Sequence, residues 1–178
     1  MCKYALKNII NGASCKNHTD IRLYQAEDYL MIEFRCQYSG RFDAPYARYN
    51  DPIYRGEVVE FFIGVKDDEI YYEFDLAPNN TLFNARIFYH EKYGAFTKVI
   101  DEKFVLHSVE LKPNEYVALL KIPFEKIGGK DKTYVYNAYR IASNGEEKEF
   151  QALNPVGKVD FHCKDKFIRL EKELLWKD

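Results

Sequence analysis

The sequence predicts an all-β fold, an antiparallel β-sandwich of about nine or more short strands with at most one or two short helical turns. Aromatic residues make up 16% of the 178 residues, with 15 Tyr and 13 Phe, and flat rings pack well on a pleated, half-buried sheet. Segments of alternating apolar and polar residues recur between turn-forming residues. No long helical pattern separates them, which argues against an α/β fold.

The first half of the chain contains five predicted strands. Residues 20–26 and 29–38 alternate clearly, and the second of these places Cys36 on its apolar side. A central hairpin follows, with strands 58–65 and 70–76 joined by a charged loop. The fifth strand lies at 81–90.

The second half continues the pattern with shorter elements. The predicted strands are 103–112, 115–122, 133–142, 151–156 and 167–170. The segment PFEKI at 123–127 is a short helical turn that ends at two glycines. Residues 171–178 form the second predicted helical turn. We expect one domain spanning residues 1–178.

Charge and hydropathy exclude several classes of partner. The formal net charge is −2, and the basic residues are scattered, so we expect neither nucleic acid nor an anionic membrane surface as a partner. No apolar segment approaches the ~20 residues of a membrane helix, and the first residues do not form a signal peptide. The chain as written is expected to be cytoplasmic, or extracellular if a leader has been trimmed.

The sequence offers no recognisable catalytic or cofactor motif. The four cysteines form no C-x-x-C pair, and the four histidines are widely separated, so their spacing indicates no zinc site. There is no G-x-S-x-G segment and no phosphate-binding loop. We therefore predict no catalytic residues and no cofactor.

The central hairpin carries the residues of greatest interest. Alternation places Glu60, Glu73 and Asp75 on one outward face, and Tyr54 lies just before the first strand. An aromatic ring beside carboxylates is typical of a sugar-binding face, of a solvated sheet surface, and less often of a glycosidase carboxylate pair.

A later segment, YVYNAYRI, adds three polar candidates. Asn137 and Tyr139 share one face of this strand, and Arg140 lies on the other. Parity does not decide which face is inward. An unpaired buried arginine is costly, so Arg140 either faces outward or meets a carboxylate such as Glu60 or Glu73.

Three ordered blocks give the chain a family resemblance. They are NDPIYRGEVVEFFI with YYEFDLAPNNTLF (50–63 and 71–83), YNAYRI (136–141), and LNPVGKVDFH with KFIRL (153–170). In order and spacing the chain resembles the family 9 carbohydrate-binding modules from about residue 19 onward. The resemblance implies a β-sandwich that binds sugar without catalysis.

The resemblance also implies roles for particular residues. Two aromatic rings of these modules sandwich a terminal sugar, and the matching positions here are Tyr54 and Phe161, which are tryptophan in the sugar-binding modules. The implied polar ligands are Glu60, Glu73, Asp75, Asn137, Tyr139, Arg140 and His162. Xylanase modules of the family also hold structural calcium, whose ligands have no match in this sequence, so a metal is left open.

We predict non-catalytic binding of a mono- or oligosaccharide. The alternative is an interaction or structural domain that has lost sugar binding and contacts a partner or a second copy through the loop from Phe42 to Tyr54. A glycoside hydrolase is the third reading, and the sequence shows neither a carboxyl with a raised pKa nor a deep cleft.

Overall fold

The computed structural model describes residues 2–90, 92–171 and 176–177. They form two β-sheets packed face to face, which confirms the all-β antiparallel sandwich. The smaller sheet contains β1 (Cys2–Ala5), β3 (Thr19–Ala26), β4 (Tyr29–Gln37), β9 (Leu106–Lys112), β10 (Glu115–Pro123) and β14 (Trp176–Lys177). The larger sheet contains β2 (Lys7–Asn8), β5 (Val58–Val65), β6 (Ile70–Leu76), β7 (Leu82–His90), β8 (Gly94–Val99), β11 (Tyr134–Ser143), β12 (Lys148–Ala152) and β13 (Ile168–Arg169).

Strand order brings distant parts of the chain together. The smaller sheet runs β1-β3-β4-β10-β9, with β14 paired in parallel to β3. The larger runs β2-β12-β11-β5-β6-β7-β8, and β13 also pairs with β11. The predicted central hairpin is β5 and β6, which lies in the middle of the larger sheet beside β11.

The main core lies between the two sheets and follows the predicted alternation. Ile32, Phe34 and Cys36 of β4 are fully buried against Phe61 and Ile63 of β5. Cys36 is thus a small core residue, as its position in the pattern indicates.

A hydrogen-bond network around one buried ion pair also joins the two sheets. Arg140 of β11 donates from Nε to Glu57 Oε1 at 2.8 Å, and both side chains are almost completely buried. Its other nitrogens donate to Thr19 Oγ1 and to the Gln37 carbonyl, each at 2.9 Å. The Tyr116 hydroxyl donates to Glu57 at 2.7 Å. Because Thr19, Gln37 and Tyr116 belong to the smaller sheet, the network fixes one sheet to the other.

The outer face of the larger sheet carries a second apolar cluster. Phe62, Tyr71 and Tyr139 lie on this face and are fully buried, because the segment 153–167 folds over them. The face is therefore covered where the sequence suggested solvent.

Short 3₁₀ turns account for the helical content of the described residues. One is Phe124–Ile127, where PFEKI predicts a turn; the others, Ile53–Arg55 and Lys164–Lys166, lie in segments predicted as loops. Of the predicted turn at 171–178, residues 172–175 and 178 lie outside the described residues, and the strand β14 occupies 176–177. No helix in the described part of the chain is long and apolar enough to cross a membrane.

The strand β8 was not predicted. Residues 94–99 form β8 at the edge of the larger sheet, where the sequence indicated a loop. Most of its side chains are exposed, so it lacks the alternation that a half-buried strand shows.

Candidate functional site

A cleft of about 510 Å³ opens on the outer face of the larger sheet. Five of the predicted site residues line it: Tyr54, Glu60, Glu73, Phe161 and His162. They come from the turn before β5, from β5 and β6, and from the segment after β12. The fold thus brings the two ends of the predicted site together.

The three carboxylates of the central hairpin meet at the base of this cleft. Glu60 pairs across the ladder with Asp75, and Glu73 pairs with Phe62. One carboxylate oxygen from each of Glu60, Glu73 and Asp75 lies within 4.8 Å of the other two. Only 2%, 6% and 0% of these residues is exposed, respectively. They share a face as predicted, but that face is not a solvated surface.

Burial changes the proton affinity of all three acids. It raises the pKa of Glu73 to about 7 and raises the pKa of Glu60 and Asp75 well above their ordinary values. Repulsion from Glu73 adds to the rise at Glu60, and repulsion from Glu60 and Glu73 adds to it at Asp75. The three acids therefore keep their protons to a higher pH than exposed carboxyl groups do.

Several oxygens of the cluster lack a donor. Glu60 Oε1 and both Asp75 oxygens are buried without a hydrogen-bond partner. The contact between Glu73 and Asp75 becomes a hydrogen bond only when one of the two carries a proton. Unpartnered carboxylate oxygens are costly to bury.

Two aromatic rings differ in how they meet the cleft. Tyr54 lies on the Ile53–Arg55 turn, is 41% exposed, and contacts Phe83 in a T-shaped arrangement at 5.5 Å between ring centroids. Phe161 is stacked on Tyr139, with centroids 4.5 Å apart and ring planes 3° apart. Tyr139 covers one face of Phe161, so only the other face can carry a ligand.

His162 is held beside the carboxylates by a tyrosine. Its Nδ1 lies 2.6 Å from the Tyr71 hydroxyl, and its backbone N–H donates to Asp160 Oδ1 at 3.0 Å. Burial lowers the pKa of His162, which favours the neutral imidazole at physiological pH. A neutral ring adds no positive charge to the cleft.

Asn137 and Tyr139 lie beneath the cleft and do not line it. The Asn137 amide donates to the Tyr139 hydroxyl and to the Asn154 carbonyl, each at 3.0 Å, and its oxygen accepts from the Asn154 N–H at 3.0 Å. Both residues are fully buried. They hold the segment that carries Phe161 instead of offering groups to a ligand.

Arg140, which was predicted as a polar ligand of the sugar, does not line the cleft. It lies on the inner face of β11, on the opposite side of the sheet from Glu60, and its carboxylate partner is Glu57. It is fully buried between the sheets and is not available to a ligand in the cleft.

Several residues that line the cleft were missed. They are Phe62, Phe83, Thr97, Val99, Ile141, Phe150, Val159 and Asp160. Alternation could have identified Phe62, which shares the face of Glu60. Thr97 and Val99 lie on β8, so no pattern placed them near the hairpin.

The loop between Phe42 and Tyr54 is mostly packed against the protein. Phe42 contacts Tyr38 with ring centroids 5.3 Å apart. Tyr49 donates its hydroxyl to the Glu102 carbonyl at 3.1 Å. Tyr54 is the exposed ring of this loop, and association through the loop stays a prediction.

The architecture is a β-sandwich of the kind found in carbohydrate-binding modules. The structure is similar to a candidate carbohydrate-binding protein from Bacteroides uniformis, with a TM-score of 0.77 and 18% identity over 96% of this chain and 85% of that one. It is also similar to a family 9 carbohydrate-binding module from Caldicellulosiruptor kristjanssonii bound to glucose, with a TM-score of 0.63 and 10% identity over 93% of this chain and 82% of that one.

A family 9 module from Caldicellulosiruptor kristjanssonii bound to cellotriose gives a TM-score of 0.56 and 13% identity, over 84% of this chain and 71% of that one. No protein-family profile matches the sequence, and no curated protein matches it. At these identities the similarity establishes the fold, which is that of a family 9 carbohydrate-binding module.

Proposed function

We propose that the protein binds a mono- or oligosaccharide in the cleft on the outer face of the larger sheet and does not cleave it. One observation carries this proposal: two aromatic rings, Tyr54 and Phe161, line the same cleft as the carboxyl groups of Glu60 and Glu73. Its volume of about 510 Å³ falls in the ~300–1,000 Å³ range of small-molecule sites.

The aromatic rings and the carboxyl groups of the cleft match the apolar ring face and the hydroxyl groups of a sugar. The apolar face of a pyranose ring stacks on an aromatic ring, and its hydroxyl groups need hydrogen-bond partners. Tyr54 and the open face of Phe161 supply the apolar surface. The carboxyl groups of Glu60 and Glu73 accept from sugar hydroxyls, and in the protonated form they also donate to them.

Hydrolysis is the weaker proposal, although the structure supplies two features that the sequence did not show. Glu73 has a raised pKa and lies in a cleft. However, glycosidase carboxyl groups flank the bond they cleave, whereas Glu60, Glu73 and Asp75 lie together on one face of one sheet. We expect no release of nitrophenol from nitrophenyl glycosides, and release that Glu73→Gln abolishes would overturn the non-catalytic proposal.

Titration calorimetry with glucose and cellotriose tests sugar binding directly. Tyr54→Ala removes the exposed stacking surface and should lower the affinity at least about tenfold, since stacking and ring burial together contribute about 1.5 kcal/mol or more. The matched control is Tyr93→Ala, because Tyr93 is 63% exposed and does not line the cleft.

The two variants give a clear decision. Weaker binding for Tyr54→Ala with unchanged binding for Tyr93→Ala supports the cleft as the site. Equal affinity in both variants and the unaltered protein would place the sugar elsewhere. A screen of saccharides that detects no binding would contradict the proposed function itself.

A further inference from the structure

The carboxylate cluster has no visible counter-charge. In the part of the chain that the structure describes, no lysine, arginine or histidine makes a salt bridge to Glu60, Glu73 or Asp75. The titratable side chains around the cluster include Tyr71, Tyr139, His162 and Asp160. Burial keeps the two tyrosines and the histidine neutral. Three buried acids beside neutral or acidic groups need either protons or a cation.

The separation of the three acids fits one ion. One oxygen from each acid lies within 4.8 Å of the other two, so some point lies no more than about 2.8 Å from all three oxygens. Ca²⁺ binds oxygen at about 2.3–2.6 Å, so a contraction of a few tenths of an ångström completes the contact. Mg²⁺ requires near-ideal octahedral geometry and usually keeps several waters, so a buried cluster of carboxylates suits it less well.

A second observation points to a missing ligand at this cluster. Glu60 Oε1 and both oxygens of Asp75 are completely buried and have no hydrogen-bond partner. Hydrogen bonds satisfy nearly all buried polar atoms in folded proteins. These orphaned oxygens belong to Glu60 and Asp75, two of the three side chains whose ligand atoms converge. An ion bound between the three side chains would give both residues a partner.

We propose that Glu60, Glu73 and Asp75 bind one Ca²⁺ ion at the base of the cleft, and that sugar hydroxyls complete its coordination. The donor set is entirely carboxylate, which suits hard cations rather than zinc or copper. Ca²⁺ takes six to eight oxygens. Glu60 and Glu73 line the cleft and Asp75 lies beneath them, so the remaining positions face the cleft. The sugar part of this proposal rests on the proposed function.

The test uses the full chain after dialysis against EDTA. Calorimetric titration with CaCl₂ at pH 7.5 should show one site per chain, and thermal unfolding should shift upward by several degrees in about 5 mM Ca²⁺. Asp75→Asn should abolish both responses. Asp131→Asn, at an exposed position outside the cluster, is the matched control and should keep both.

Asp75→Asn should remain folded, because asparagine has nearly the same size and shape as aspartic acid and carries no charge into the buried site. Its circular dichroism and unfolding temperature without metal establish this. No response of the unaltered protein to about 5 mM Ca²⁺, above the ~1 mM dissociation constants of weak calcium modules, would overturn the metal site. Calcium binding that survives in Asp75→Asn would do the same.

Glucose titrations in Ca²⁺ and in EDTA separate the two parts of the proposal. We expect at least fivefold tighter sugar binding with Ca²⁺, the lower end of typical coupling between ligands. Equal sugar affinity in EDTA would overturn the shared coordination and leave the proposed function standing. Calcium binding without sugar binding in either buffer would instead overturn the proposed function and leave the metal site standing.

Discussion

Two buried glutamates, Glu57 and Glu60, lie on opposite faces of the larger sheet and only a few residues apart in the chain. On the inner face, Glu57 accepts from Arg140, from the Tyr116 hydroxyl and from the Ser143 backbone N–H, the last at 2.6 Å. On the outer face, Glu60 shares a cleft floor with two more acids and has a buried oxygen without a donor.

The difference separates a structural role from a binding role. The charge of Glu57 is neutralised and its oxygens are fully used, so the inner site needs nothing from outside the protein. The outer cluster around Glu60 keeps unused acceptors and unbalanced charge next to an open cleft. Strained polar groups of this kind are typical of functional sites.

Breaking the inner site should have the largest effect. Arg140→Met keeps much of the side-chain volume but leaves Glu57 buried without its cation, which should cost about 3–5 kcal/mol of unfolding free energy. Urea denaturation measures this loss. Arg86→Met, at an exposed position, should change stability by less than about 0.5 kcal/mol. A similar small change for both variants would show that the inner pair does not hold the sheets together.

Removing one ionisable acid from the outer cluster should instead raise the free energy of unfolding. The folded-state pKa of Glu73 is raised from 4.5 to about 7, so Glu73 supports folding below about pH 4.5 and this contribution is lost as pH rises through 7. Glutamine resembles the protonated acid. The free energy of unfolding of Glu73→Gln should therefore exceed that of the unaltered protein by up to about 3 kcal/mol at pH 8 and by almost nothing at pH 4.5.

Urea unfolding at several pH values in EDTA tests this sign. His162, whose pKa is lowered by burial, lowers the stability as pH falls below its ordinary pKa. It is present in both proteins, so its effect cancels in the difference. If the difference in unfolding free energy between the two proteins does not vary with pH, Glu73 is not the titrating group.

Two tyrosine hydroxyls offer a finer comparison. Tyr116→Phe removes a donor to the charged Glu57 and should cost about 1.5–3 kcal/mol. Tyr139→Phe removes an acceptor for the neutral Asn137 amide and should cost about 1 kcal/mol. Thermal unfolding of the two variants measures the difference. A larger loss for Tyr139→Phe would mean that the cleft side carries more of the stability than the inner pair.

Local pattern was sufficient for much of the site. Alternation placed Glu60, Glu73 and Asp75 on one face, because the side-chain period of a strand is two and the register of a short hairpin is fixed by its loop. The same parity puts Glu57 on the face of the core residues, so its inward position was readable from the sequence. Its partner Arg140 was not, since about 80 residues separate them and pairing depends on which strands become neighbours.

Short-range periodicity is enough to predict the sandwich, the central hairpin and the shared face of its three acids. The tertiary structure decided that this face is buried, because the segment 153–167 folds across it from a distant part of the chain. It also decided that β8 closes the edge of the cleft and that Arg140 belongs to the core. Tyr54 and Phe161 reach one cleft through packing between remote segments, which no local pattern encodes.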